Sequence, residues 1–507
     1  MVHSGDIFWK TGRTTKPKPL WYPTKFPHLS LFTKTLYAHL CLQVYTPMIM
    51  EGDKKKDQYE NDQIIDQVDS TRGYMEPIKD EMTASRLQDP FAGEEGSQVQ
   101  YRIMKWWHCA ILMIAQSISL GVLSLPSSMA TLGFVPGCIL ILVLGALTTY
   151  TGYVLGQFKL CHPHIHNMSD AAEVLFGAWG REIATAAQIL FFIFLMGAHI
   201  LTFSIMMNTL TNHGACTLIF GLVGAILCFV LTLSRRLQEV SYLGWISSLS
   251  IFASVLITIV GVGIDSPNAK GYAINHPSLL SGFSACLNIV ISFAGHLAFF
   301  SFQSELAEPK DFTKALITLQ VTDTSLYLVT AVVIYYYTGA EVKSPALLSA
   351  SPVVSKVAFG IAIGTIVIAG VIIAHVGAKT IYVRLFRGTN RMNEYSLVSY
   401  GSWVLIVLIL WTIAWIIASA IPVFNDLLSL LAAAFGSWFS FGLEGLFWLH
   451  MNRGKLASKR KIALAILNFF LVLIACLICG MGLWATAKDI SSSAKNAHGA
   501  FSCADNR

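Results

Sequence analysis

Between residues 106 and 486 the chain is a succession of long apolar runs separated by short polar connectors. The runs do not alternate apolar and polar positions, so they do not read as strands. Open sheets would also leave backbone groups unsatisfied in hydrocarbon. Crossing about 30 Å of bilayer core takes about 20 helical residues. On that basis the sequence predicts eleven helices, over 106–131, 134–158, 183–209, 215–233, 241–263, 279–304, 315–338, 353–378, 399–421, 424–449 and 462–486. The expectation is an all-α integral membrane protein with one transmembrane domain over 101–486.

Charge sets the expected orientation. Lys159 and Arg181, Arg235 and Arg236, Lys310 and Lys314, Lys379, Arg384, Arg387 and Arg391, then Arg453, Lys455, Lys459, Arg460 and Lys461 fall in connectors of one side. The other side receives Lys270 and Lys343. Basic residues mark the cytoplasmic face, so the N-terminus is predicted inside and a tail over 487–507 outside. The net charge of +6 belongs to this bias, and no nucleic-acid partner is expected. The sequon Asn167-Met168-Ser169 falls on the inner side and is predicted to carry no glycan.

Residues 52–100 are polar and read as a disordered cytoplasmic tail. Residues 1–47 are basic and Pro-containing, without periodicity. They are taken as a gene-model extension, with Met48 or Met50 as the working start; a transit peptide is the alternative. The ten cysteines give no disulfide framework, and most lie within spans as small apolar groups. His162-Pro163-His164-Ile165-His166 looks metal-like but lacks supporting Cys or carboxylate residues. No metal or cofactor is expected.

The first span contains Gln116-Ser117-Ile118-Ser119-Leu120-Gly121-Val122-Leu123-Ser124-Leu125-Pro126. Gly121 loosens the helix, and Pro126 cannot donate its amide to Val122. This stretch is expected to unwind; a simple Pro kink is the alternative. Unwound backbone in lipid needs partners, and a zwitterion supplies both kinds. Such breaks come in pairs when spans 1–5 and 6–10 form inverted halves. Span 6 carries the matching interruption, Ser292-Phe293-Ala294-Gly295-His296.

Intramembrane ionisable groups are costly, hence functional or paired. His296 adjoins the second break and either couples a proton or donates one structural hydrogen bond. Asp323 in span 7 either pairs with a neighbouring helix or relays protons. His199 is read as a core histidine, and His375 and Glu444 as interfacial. Glu305, Glu308, Lys310 and Asp311 form either a salt-bridge gate or, the preferred reading, a solvated loop.

Gly121-Val122-Leu123-Ser124-Leu125-Pro126 with Leu132-Gly133-Phe134-Val135-Pro136-Gly137 resembles the first-span signature of the amino acid/auxin permease family. Ser169-Asp170 through Phe176-Gly177-Ala178-Trp179-Gly180-Arg181 resembles its inner loop before span 3. Phe293-Ala294-Gly295-His296, with Glu305 through Pro309 and Phe312, resembles its span 6. Residues 101–264 look particularly like the fungal neutral amino-acid permeases of that family. The resemblance implies a LeuT-like 5+5 inverted repeat with broken helices 1 and 6. It also implies proton symport of neutral aliphatic and aromatic L-amino acids by alternating access. It places substrate contacts at Ser117, Ile118, Ser119, Leu120 and Gly121, and at Ser292, Phe293, Ala294 and Gly295. His296 and Asp323 remain for proton coupling. Relatives often carry an acidic residue at the position of Gln116, which cannot titrate. The plasma membrane is the expected location, with the vacuolar membrane and export as the alternative. A receptor that binds amino acids without flux is the rival reading. An enzyme is not expected, for no nucleophile–base set shares one membrane depth.

Overall fold

The computed structural model describes residues 101–235, 237–265, 271–387, 389, 396–496 and 500–507. The expected tail over 1–100, with the supposed extension over 1–47, lies outside the described residues. Among the described residues every element is helical except one isolated bridge, Met104 to Leu306. The first five helices are α1 (Trp106–Leu132), α2 (Phe134–Cys161), α3 (Met168–Thr211), α4 (Thr217–Leu231) and α5 (Leu237–Asp265). The sixth segment is α6a (Leu279–Ser292) and α6b (Phe299–Ser304); then come α7 (Phe312–Thr338), α8 (Pro352–Phe386) and α9 (Leu397–Ala420). The tenth is α10a (Phe424–Leu431) and α10b (Leu443–Met451), and α11 runs Lys459–Asn496.

Among the described residues nine helical segments are long and apolar enough to cross a membrane, and the bent tenth makes up to ten. Every helix expected from the sequence is present, but α4 is short. Its 15 residues rise about 22 Å at 1.5 Å each. It begins after Cys216 and closes where the Thr232 amide bonds Cys228 O at 3.0 Å.

Segment six is interrupted as expected. After Ser292 the chain leaves the α-helix over Phe293–Gly295, makes a single 3-10 turn at His296–Ala298, and resumes as α6b. Segment one is not. α1 is continuous through Gly121 and Pro126, which corrects the expected unwinding. Pro126 removes the donor to Val122 O without ending the helix, and nearby hydroxyls add bonds to other carbonyls of the stretch. Ser124 Oγ donates to Gly121 O at 3.0 Å and Ser127 Oγ to Ser124 O at 2.7 Å. An unforeseen irregularity lies in segment ten, where π turns at Ala432–Gly436 and Trp438–Gly442 accompany a 43° bend.

α1 lies at the centre and packs on α5, α6a, α7 and α8. At the periphery, α11 buries only 22% of its most apolar stretch and exposes Phe469, Phe470, Leu473 and Leu477, side chains suited to lipid. α2 approaches α7 closely because Gly145, Gly152 and Gly156 face Thr324, Leu316 and Phe312, as small residues allow in membranes. In α3, Gly177 takes φ 66°, a conformation that favours glycine. It turns the chain between a short capped segment and the spanning part. Asn167 caps that segment, its Oδ1 accepting from the Asp170 amide at 2.9 Å.

One cysteine pair overturns the expected lack of disulfides: Cys216 bonds Cys503. The segment around Cys503 lies on the α3–α4 connection. Thr217 Oγ1 donates to Ala504 O at 2.7 Å, and Asn208 Nδ2 to Asn506 Oδ1 at 2.8 Å. The Phe501 amide bonds Ser419 O, at the end of α9, at 2.8 Å. α11 itself continues beyond residue 487, where Ser284 Oγ of α6a donates to Asp489 Oδ2 at 2.5 Å.

Candidate functional site

The candidate site forms where α1, α6a and α7 meet at Gly121. A Cβ added there would lie 2.7 Å from Tyr327 Oη and 3.0 Å from Ser292 Cβ, so only glycine admits this approach. Tyr327 places its hydroxyl between the two backbones, 2.9 Å from both Ser117 O and Ser292 O. One helical turn away on α7, Asp323 Oδ2 accepts from Ser117 Oγ at 2.5 Å. Asp323 is 1% exposed, and its Oδ1 has no hydrogen-bond partner. A carboxylate shut away from water needs a proton or a cation to offset its charge. Ser292 Oγ donates to Asn288 O at 2.8 Å.

Beside this junction lies a cavity of about 30 Å³. That is room for two or three waters, at about 10–15 Å³ each. A larger solute requires the lining helices to part. Of the nine expected substrate contacts, Ser117, Leu120, Gly121, Ser292, Ala294 and Gly295 line the cavity. Ile118 and Ser119 are buried elsewhere, Ser119 Oγ reaching Thr365 O at 3.4 Å. Phe293 packs edge-on against Tyr327, with ring centroids 5.2 Å apart. Gln116, Phe191, Leu195, His199, Ile291 and Leu428 complete the lining.

The two expected proton-coupling residues are placed differently. Asp323 bonds directly to the α1 segment at the site. His296 is fully buried and turns toward α2, its Nε2 lying 3.0 Å from Thr148 O and 2.9 Å from Thr151 Oγ1. A carbonyl only accepts, so Nε2 carries a hydrogen toward Thr148, and the ring ties the break to α2. Tyr327 was missed in the sequence, where a span aromatic reads as packing.

The bundle is closed at the end that carries Tyr101. The Met104 amide donates to Glu305 O at 3.0 Å, and the Ala307 amide to Met104 O at 2.9 Å. Lys379 Nζ lies 2.5 Å from Glu305 Oε1 and 4.0 Å from the centre of the Tyr101 ring. Arg235 donates to the hydroxyls of Tyr101 and Tyr382 at 3.3 and 2.7 Å. Burial holds the Tyr101 phenol well above its usual range. Glu305 is thus a buried ion-pair partner rather than part of a solvated loop, while Glu308 and Lys310 are exposed. The interfacial reading of His375 and Glu444 is also corrected. His375 is fully buried against the Trp403 ring at 5.2 Å. Glu444 is fully buried on α10b, neither carboxyl oxygen bonded to another residue.

Residues 102–488 match the family described as transmembrane amino acid transporter protein. The N amino acid transport system protein of Neurospora crassa is 38% identical over 411 residues, covering 78% of this chain and 87% of that protein. A transmembrane transporter of Fusarium pseudograminearum is 30% identical, covering 80% and 88%. Among solved structures, MhsT in complex with L-phenylalanine aligns with TM-score 0.51 at 11% identity, over 78% of this chain and all of that one. Mhp1, a nucleobase-cation-symport transporter in a closed conformation, aligns with TM-score 0.50 at 14% identity, over 80% and 96%. Both likenesses concern the fold.

Proposed function

Because the chain belongs to the transmembrane amino acid transporter family, we propose that it imports neutral L-amino acids by proton symport with alternating access. The observation that carries this reading is the Asp323–Ser117 bond, which attaches a buried titratable carboxyl to the cavity wall. Protonation of Asp323 removes the charge that makes the closed site costly. It also alters the bond that holds α1 to α7. The cargo's backbone sits along Ser117–Gly121 and Ser292–Gly295, and the apolar wall of Phe191, Leu195 and Leu428 receives an uncharged side chain. Family relatives are transporters, not enzymes.

A reading with eleven crossings is supported by where the ends of α4 are held. Cys216 is joined to the segment beyond α11, while Arg235 meets Tyr101, ahead of α1. The short helix thus links two opposite faces. With basic connectors inside, the Tyr101 face is cytoplasmic and the disulfide face lies on an oxidising side, which suits the plasma membrane.

Uptake of a radiolabelled neutral amino acid in a permease-deficient host tests this. Wild-type uptake rises as external pH falls, and Asp323→Asn at normal surface abundance loses that dependence. An unchanged pH profile in the variant removes Asp323 from coupling.

A further inference from the structure

His199 of α3 is fixed from behind. Its Nδ1 lies 2.9 Å from Ile366 O of α8. That carbonyl can only accept, so Nδ1 carries the hydrogen, and Nε2 of the neutral ring is left with a lone pair. The residue is 2% exposed, its Nε2 has no partner, and it lines the cavity at the Gly121 junction. The same cavity holds a second acceptor without a partner, Gln116 Oε1, on a residue 8% exposed. The other polar side chains in the lining have their hydrogens committed, Ser117 to Asp323 and Ser292 to Asn288. Buried acceptors left unmet are costly, and a bound donor removes that cost.

Backbone carbonyls at the junction are less available. Ser117 O and Ser292 O already face the Tyr327 hydroxyl. The vacant side-chain acceptors therefore call for an occupant rich in N–H donors. We infer that His199 Nε2 and Gln116 Oε1 receive the α-ammonium of the transported amino acid. This rests on the transport reading of that cavity. An ammonium brings three donors, and two neutral acceptors take it without adding a buried charge. A carboxylate in the same place would face the lone pairs of His199 Nε2 and Gln116 Oε1, so the cargo's carboxylate end points away from α3.

The test uses the full chain in proteoliposomes, with L-leucine uptake and two competing analogues. Isoamylamine keeps the amine and lacks the carboxylate; 4-methylpentanoate keeps the carboxylate and lacks the amine. His199→Phe is expected to raise the KM for L-leucine at least about tenfold, in the range of a lost charge-assisted hydrogen bond, with little change in kcat. His199→Gln, which restores an acceptor, recovers part of that loss. Isoamylamine competition weakens in His199→Phe, while 4-methylpentanoate competition stays as in wild type. Gln116→Leu gives the same asymmetry and serves as the independent arm if His199→Phe misfolds. Equal weakening of both analogues, or an unchanged KM in both variants, overturns the assignment. If Gly121→Leu abolishes uptake while these variants behave as wild type, only the ammonium contact fails. If wild type moves none of the standard amino acids, the transport reading itself fails.

Discussion

Replacing Gly121 with alanine adds one methyl at the junction of three helices. The new Cβ would sit 2.7 Å from Tyr327 Oη, 3.0 Å from Ser292 Cβ and 3.1 Å from Ser292 Cα. Carbon atoms settle at about 3.5–4.0 Å, so α6a must retreat or the phenol must swing. Neither is easy. Ser292 Cα is backbone, and Tyr327 is fully buried with its hydroxyl set between two carbonyls. Overpacking of this kind costs about 1–3 kcal/mol. Leaving a buried carbonyl short of its donor adds about 1–3 kcal/mol. Even the lower sum, about 2 kcal/mol, lowers the population of the closed junction about 30-fold at 1.4 kcal/mol per decade. Uptake by Gly121→Ala is therefore expected to fall at least about 30-fold, with surface abundance intact by biotinylation. Gly121→Leu is expected to abolish it. Tyr327→Phe removes the oxygen that the methyl strikes, so the double variant should lose less than the two single losses added together. Strict additivity, or wild-type uptake by Gly121→Ala, refutes the packing argument.

Glu305→Ala leaves Lys379 buried and without its carboxylate. Breaking such a pair costs about 3–5 kcal/mol, read as a lower Tm of the purified protein; Glu305→Leu with Lys379→Met should recover most of it, and no recovery counts against a buried pair. His296→Gln is expected to keep the wild-type pH profile, since the ring faces α2; a shifted profile returns the proton role to His296. In intact cells a membrane-impermeant maleimide should label Cys216 and Cys503 only after external reduction. Labelling from the cytoplasmic side instead would reverse the assigned topology.

Helix positions were legible because a spanning helix must bury its own backbone bonds, which leaves an unmistakable apolar run. The break at Ser292–Gly295 was legible for the same reason, as small and polar residues interrupted such a run. At Gly121 similar residues gave the wrong answer. Whether a permissive stretch unwinds depends on tertiary contacts, here those made from α7 some two hundred residues later. Asp323 was visible as a costly charge in a span, but its partner Ser117 was not, since no spacing rule joins them. Tyr327 carried no signal apart from its ring. The π turns of segment ten and the burial of Glu444 likewise arise from packing between distant helices. The Cys216–Cys503 pair, 287 residues apart, follows no motif.

That bridge has a consequence for how the protein is made. Cys216 is delivered to its side of the membrane with the first few spans, whereas its partner appears only after α11 has been inserted. Throughout synthesis of the intervening residues the thiol stands open, available to oxidoreductases and to any machinery that retains chains with unpaired cysteines. Closure of the bond thus coincides with completion of the bundle. A chain stalled or cut before Cys503 carries a chemical flag on the face that holds Cys216, whatever the state of the helices beneath it.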